Sequence, residues 1–448
     1  MQFEKQHCII QGMDEIQLPQ MVKVRQKFNA KTITDPAKHL RQQMQAKLTE
    51  PEIKALQGKR IGISAGSRGI PHYKELIKAM ADQLKEWGAE PFVFPAMGSH
   101  AGATAEGQAA YLRQFGITEA YIGVPVLSTM EVVQVATLAD GFPVYCDKYA
   151  VAADGIVVFN KIKPHTHFKD RHESGLLKMI CIGIGKHRGA ATFHQYGFDH
   201  FCYNLERVAA AFLEHVNVVF SVGLVQNAFD DIGWLEVIRT EEFFDRDAAL
   251  LKIAKKELAQ LWFKNIDVLV IDEVGKEISG VGFDPNVTGR TEVLSQQAAF
   301  RAIAPDIKKI VLLDITEASH GLGIGMGEAD IISYRFANKL DFGQTYTNVI
   351  TNNYLKAAAM PLYMNSDEDS IKLAVLTSMV KQKDQVKIVH IKNTITLDEI
   401  EVSTGMLPEV QDTNKFEILS EPYSWAFNEA GNFWKKKKKK RGSPYRFM

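Results

Sequence analysis

The sequence predicts an α/β protein: two α/β domains with mainly parallel sheets facing across a cleft. Short β-branched runs alternate with longer amphipathic segments, which is the pattern of βαβ units. Most of those runs are apolar throughout, as strands buried on both faces are. The 448-residue length suits two or three domains, each able to bury its own core.

Taken in order, the first strand reads Arg60-Ile61-Gly62-Ile63-Ser64, and a helical period follows from about Tyr73 to Trp87. Further strands are expected at Pro91 to Ala96, Tyr121 to Val126, Gly155 to Asn160 and Val216 to Val225. A long helical stretch from about Asp245 to Phe263 ends where Asn265 to Asp272 (NIDVLVID) restarts a strand, which places a domain boundary near residue 265. Beyond it, strands are expected at Val268 to Asp272, Lys309 to Asp314, Leu373 to Leu376 and Val386 to Ile391. The expected division is an N-terminal domain over 1–265, a C-terminal α/β domain over 266–434 and a basic tail over 435–448. No repeat is visible, and only the Lys-rich tail is of low complexity.

Composition narrows the class. With 46% hydrophobic and 24% charged residues, the chain is neither disordered nor fibrous. Formal net charge is zero, but eight of the 53 basic residues lie in the last fourteen positions, leaving 45 against 53 acidic ones. A mildly acidic body argues against a nucleic-acid partner, and the dense run Lys435 to Arg441 reads as a solvated tail. Cys8, Cys146, Cys181 and Cys202 form no CxxC pair, so neither a zinc knuckle nor a disulfide framework is expected. The opening MQFEKQHCIIQGMDE lacks the apolar core of a signal peptide, and no stretch reaches the roughly 18 apolar residues that span a bilayer. A cytoplasmic protein with no membrane partner is the expectation.

In open α/β sheets, ligands collect at the carboxyl ends of strands. The first exit, Ser64-Ala65-Gly66-Ser67-Arg68-Gly69-Ile70-Pro71, offers a small-residue loop and one guanidinium, suited to a carboxylate or phosphate; the plainer reading is a surface turn. The second, Met97-Gly98-Ser99-His100-Ala101-Gly102, presents His100 either as an accessible acid or base or as a helix cap. The third is densest: Lys161, Lys163, His165, His167, Lys169, Arg171 and His172 lead to Gly175-Leu176-Leu177-Lys178. Such a run is too polar for a core and reads as functional. Lys178 lies among apolar residues, where desolvation favours a nucleophile. The following Gly183 to His187 (GIGKH) lacks the hydroxyl residue and spacing of a phosphate loop. His194, in Thr192-Phe193-His194-Gln195, is a possible metal ligand or a structural histidine.

Together SRGIP, GSH, KPHTHF, GLLKMICIGIG and TFHQ resemble, in order and spacing, the nickel-pincer-nucleotide lactate racemase family, over roughly residues 55 to 200. The resemblance implies an isomerase that inverts C2 of a 2-hydroxyacid by hydride transfer through a lysine-tethered nickel-pincer nucleotide. It implies that Lys178 tethers this cofactor and that His194 is the protein's ligand to nickel. His100 and His165 would be the paired acid and base, and Arg68 would hold cofactor or substrate carboxylate. Cofactor-biosynthesis enzymes are then implied partners, alongside a small-molecule 2-hydroxyacid substrate.

Lactate-type members carry an Asp where Ala65 stands and a shorter, Gly-rich loop before the lysine. The charged loop from His167 to Glu173 therefore suggests a longer, more polar substrate. In the second half, Lys276, Asn286 and Arg290 lie on segments that could reach substrate or cofactor phosphate; alternatively, they serve turns and surface pairs. Ser319 to Gly327 is Gly-rich without a dinucleotide fingerprint. The rival readings are a metal-dependent hydrolase using His165, His167 and His194, and a cofactor-binding paralogue without turnover.

Overall fold

A computed structural model describes residues 3–7, 10–67 and 69–433 of the chain. Its first strand, β1 (Met21–Gln26), clusters with the residues from Ala259 onward, while Ala30–Leu258 form the other unit. The sequence-based domain 1–265 differs from this grouping chiefly in residues 1–29. The reason is strand pairing: β1 pairs with strands near residues 400 and 417, within the unit that begins at Ala259.

The unit over 30–258 is built on β2 (Arg60–Ala65), β3 (Glu90–Pro95), β6 (Gly155–Lys161), β7 (Val218–Gln226) and β8 (Ile232–Ile238), in the order β3-β2-β6-β7-β8. The first four are parallel and β8 closes the edge antiparallel to β7. Past Arg60 every residue of β2 is buried, as its unbroken apolar and small-residue run requires. Gly62 is small because a Cβ there would stand 2.9 Å from the Phe92 ring on the neighbouring strand. The helix Tyr73–Glu86 turns Leu76, Ile77, Met80 and Leu84 onto the sheet at helical spacing. Each such side chain contributes about 1.5–3 kcal/mol on burial. Between β3 and β6 lies a separate antiparallel hairpin of β4 (Val132–Thr137) and β5 (Pro143–Asp147).

The other unit carries an eight-stranded mixed sheet in the order β12-β11-β10-β9-β13-β14-β1-β15. Its parallel part is β9 (Asn265–Ile271), β10 (Asp306–Leu312), β11 (Ile331–Ser333), β12 (Leu362–Met364) and β13 (Ile388–Ile391). Antiparallel β14 (Glu399–Ser403), β1 and β15 (Phe416–Ile418) extend it.

Two expected strands are helical. Tyr121 to Val126 is replaced by the helix Glu119–Ile122, capped by the Thr118 side chain and ended by left-handed Gly123; only Val126 bridges to Val93. Leu373 to Leu376 is the last turn of the helix Asp367–Leu376, whose Ser366 cap accepts from the Asp369 N–H. Three acidic residues in its first turn complement the helix dipole. The long helical stretch expected over 245–263 is the helix Phe243–Glu257.

Candidate functional site

The carboxyl ends of β2, β3 and β6 lie on one edge of the five-stranded sheet, and three sequence-predicted exits gather there. The exits are tied by backbone: Ala96 N–H donates to the Ala65 carbonyl at 2.7 Å, and Gly98 N–H to the Gly183 carbonyl at 3.2 Å. Gly98 takes a left-handed φ of 57°, and a Cβ there would press on Ile182. The His100 loop therefore rests on the segment after Lys178. Gln108 holds it from the other side, its Nε2 donating to the Gly98 carbonyl at 3.0 Å. His100 itself is exposed. Arg68 lies outside the described residues, as does the basic tail.

The β6 exit folds back as a loop over residues 162–175, pinned by the Lys163–Ser174 bridge. It ends in Gly175, after which Leu176–Lys178 form an α-turn and Met179–Ile184 a π-helical turn leading into the helix Lys186–Gln195. π-Helical turns often accompany functional sites. Lys178 Nζ lies 2.6 Å from His165 Nε2, while His165 Nδ1 accepts the His167 N–H at 3.0 Å. His165 is buried against Phe168, ring centroids 4.6 Å apart. Burial first, then the charges of Lys178, His167, Lys169 and Lys163, hold its pKa well below the usual imidazole range.

His194, near the end of the helix Lys186–Gln195, meets Phe198 edge-on at 78° and Phe201 at 6.4 Å. Loss of solvent around the ring, then the charges of Lys178 and His167, push its pKa down to about 4. One side of the residue stays exposed, and His194 is a neutral imidazole at pH 7. His167 joins the same group, stacked on Phe198 at 4.8 Å and 14°. Thus His165, His167, Lys178 and His194 share one aromatic-walled corner of the sheet edge.

Many polar groups of the charged loop are paired within the fold. Glu173, 1% exposed, accepts from His165 N–H at 2.6 Å, Lys169 Nζ at 2.8 Å and Asp170 N–H at 3.2 Å, and pairs with Lys255 at 2.6 Å. Arg171 pairs with Asp245 at 2.9 Å, and buried His172 with buried Asp247 at 2.9 Å. These groups fold the loop around a buried carboxylate: His172 and Glu173 of the polar run are interior, while Asp170 and Arg171 stay exposed. Ala65 is buried in the core cluster at the end of β2.

Sequence reasoning missed Lys186, the lysine of GIGKH. It is fully buried, pairs with buried Asp147 at 2.9 Å and donates to the Pro95 carbonyl. Burial pulls the Lys186 pKa down and the Asp147 pKa up, each offset by the other's charge. The pair joins the β3 and β5 exits to the helix of His194. Apolar flanks did not signal it: Lys186 stands between Gly185 and His187, whereas Lys178, between Leu177 and Met179, is only half-buried.

In the other unit, Lys276 is exposed on the β9 exit loop, at the carboxyl edge, its N–H donating to Ser319 Oγ at 2.8 Å. Arg290 lies at the opposite, amino edge. Its guanidinium donates to the carbonyls of Glu328, Ile307 and Lys308 and to Asp330 at 3.2 Å, a clamp on the start of β10. Buried Asn286 bonds back to Asp284 in a turn. The glycines of 319–327 serve close packing: a Cβ on Gly325 would stand 2.0 Å from the Val281 carbonyl. Among the described residues no group of three or more His, Cys, Asp or Glu is arranged to hold a metal, and no helix is long and apolar enough to cross a membrane.

No protein-family model matches the sequence, and no curated protein matches it. Among solved structures the chain is similar to the lactate racemase apoprotein from Thermoanaerobacterium thermosaccharolyticum, with a TM-score of 0.53 and 13% identity over 83% of this chain and 94% of that one. The chain has a lactate racemase-like fold. A protein from Thermotoga maritima aligns with a TM-score of 0.49 and 14% identity over 81% of this chain and 96% of that one. At such identities the lactate racemase-like architecture is what the likeness shows.

Proposed function

We propose that this chain is a racemase or epimerase that inverts C2 of a 2-hydroxyacid, with Lys178 carrying a nickel-pincer nucleotide covalently and His194 ligating its nickel. The observation that carries the reading is the convergence of His165, Lys178 and neutral His194 on one sheet edge. The donor set fits the group. A pincer brings several of the metal's donors itself, so one neutral imidazole suffices where no three-residue cluster exists among the described residues. Lys178 is half-buried and so remains within reach of a partner. When bound, the cofactor supplies a hydride acceptor for the substrate carbon.

The chain's own residues supply the rest. His100 and His165 are the paired acid and base for the substrate hydroxyl, one serving each enantiomer. At His165 the exchange runs through Nε2, which Lys178 Nζ meets at 2.6 Å and would release on carrying the cofactor, because Nδ1 accepts the His167 N–H. Arg68 holds a substrate carboxylate or the cofactor, and Lys276 contacts cofactor or substrate from the β9 exit. Arg290 clamps the start of β10 within its own unit. The substrate is a small 2-hydroxyacid, and the cofactor-building enzymes are the partners. A zinc hydrolase built on His165, His167 and His194 is disfavoured, since among the described residues no group of three or more His, Cys, Asp or Glu is arranged to hold a metal.

The test is to produce the protein together with cofactor-building enzymes and measure nickel content and the mass of the Lys178 peptide. Near-stoichiometric nickel with added mass at Lys178 is expected. Lys178→Ala abolishes loading and His100→Ala leaves it intact. Zinc on an unmodified lysine, or equal loading of both variants, refutes the assignment. A C2-deuterated substrate should keep its label in the inverted product, and washout into solvent would argue for simple proton abstraction.

A further inference from the structure

The short helical turn that presents Lys178 has its first N–H groups turned toward the helix Phe243–Glu257, some seventy residues further along the chain. Asp247 of that helix is 1% exposed, and its Oδ1 accepts the Leu176 N–H at 2.6 Å. Its Oδ2 lies 2.9 Å from Nδ1 of His172, which is itself fully buried. The other ring nitrogen, Nε2, stands 3.5 Å from the Glu206 carboxylate. Gly175 belongs to the same device: any Cβ there would sit 2.2 Å from Asp247 Oδ1, so only glycine allows the carboxylate to reach the turn. From the other side Asn160, at the end of β6, donates to the Gly175 carbonyl at 2.7 Å.

A carboxylate at the start of a helical turn satisfies a donor that has no partner within the helix and opposes the positive end of the dipole. Here it does so two residues before the lysine. Histidine holds the second carboxylate oxygen, so Asp247 cannot rotate away without breaking a second buried bond. Three elements, β6 through Asn160, the loop through His172 and the distant helix through Asp247, therefore converge on the single turn from which Lys178 projects.

We propose that Asp247 is a positioning residue for Lys178, with His172 as its brace and Gly175 as the glycine that admits it. Its importance for cofactor loading rests on the function proposed above; the positioning itself does not. Outer residues that orient a site commonly matter about 10–100-fold.

The experiment uses the full chain in two arms. In the first, amide exchange is followed across the peptide containing Leu176 for the wild type, Asp247→Ala, Asp247→Asn and Gly175→Ala. In the second, the fraction of Lys178 carrying added mass is measured after production with cofactor-building enzymes. Asp247→Ala and Gly175→Ala should each speed exchange in that peptide and lower loading by about tenfold or more. Asp247→Asn keeps an acceptor for the Leu176 N–H and should stay within about threefold of wild type in both arms. Unchanged exchange in Asp247→Ala, or Asp247→Asn as impaired as the alanine at equal thermal stability, overturns the proposal. If Asp247→Ala does not fold, Gly175→Ala against Asp247→Asn makes the same comparison. Wild-type protein that never gains mass at Lys178 refutes the proposed function, while the exchange arm still decides the positioning role.

Discussion

Glu173 offers the sharpest quantitative test of how the site is held. Replacing it by Ala removes the acceptor for His165 N–H, Lys169 Nζ and Asp170 N–H, and the partner of Lys255. Lys169 keeps 9% of its side-chain surface in water and would lose its counter-charge while keeping the His165 carbonyl at 2.6 Å, whereas Lys255, at 37%, can rehydrate. Stranding one buried ion costs about 3–5 kcal/mol, and the lost backbone bonds overlap with that figure because the loop can relax. We expect about 3–4 kcal/mol for Glu173→Ala. Glu173→Gln keeps an acceptor and the shape, and should cost about 1–2 kcal/mol. With two units in the chain, a whole-molecule melt is not a two-state measurement. Amide exchange across residues 163–175, referenced to β9 in the other unit, reads the local free energy directly. The alanine should speed exchange there by a few hundredfold, at about 1.36 kcal/mol per tenfold. Acceleration below about tenfold, or a glutamine variant indistinguishable from the alanine, would refute the buried-carboxylate account of the loop.

Two further outcomes follow from buried charge. Lys186→Met leaves Asp147 buried without its partner and should cost about 3–5 kcal/mol, whereas Lys186→Met with Asp147→Asn should recover at least half of that. A double variant as unstable as the single one in denaturant unfolding would sink this. In the other unit, His390 is buried between Asp272 at 2.6 Å and Glu401 at 2.7 Å. Burial pulls its pKa down, but the two carboxylates prevail and raise it to about 10. A folded pKa above the unfolded one gives stability that is complete below about pH 6.5 and lost as pH climbs through about 10. That span sets a ceiling of about 5 kcal/mol, and the 41% exposure of the Asp272 side chain screens it to about half. The stability gap between wild type and His390→Phe should therefore be widest near pH 6 and close toward pH 10; a pH-independent gap would show that stacking on Phe433, not charge, holds His390.

The fold was legible wherever burial on both faces produced an unbroken apolar run, as in β2, β6, β7 and β9. It was misread where an apolar run carried helix punctuation. Thr118 before Tyr121 and Gly123 after Ile122 are a cap and a terminator, and Ser366 with three following acids marks a helix start. Those end signals outweigh the β-branched content that suggested strands. β1 was invisible for a different reason. It is completed by β14 and β15, nearly the whole chain length away, and no local pattern reports a partner so distant.

The site divides along the same line. His100, His165, Lys178 and His194 could be named because each stands at a strand exit or on the helix that follows one, and exits are visible locally. What fixes them could not be. Asp247 lies on a helix far along the chain and resembles any acidic residue near a helix start; only the placement of Gly175 against it reveals its use. Lys186 is hidden in the sequence because its partners, Asp147 and the Pro95 carbonyl, lie on other elements that no local pattern links to it. The charged run from Lys169 to Glu173 misled in the opposite direction: Glu173 and Lys169, which neutralise each other, can be buried together where either alone could not, while Asp170 and Arg171 stay exposed. In this chain the residues expected to do chemistry announce themselves by position along the sequence, and the residues that hold them in place announce themselves only by pairing.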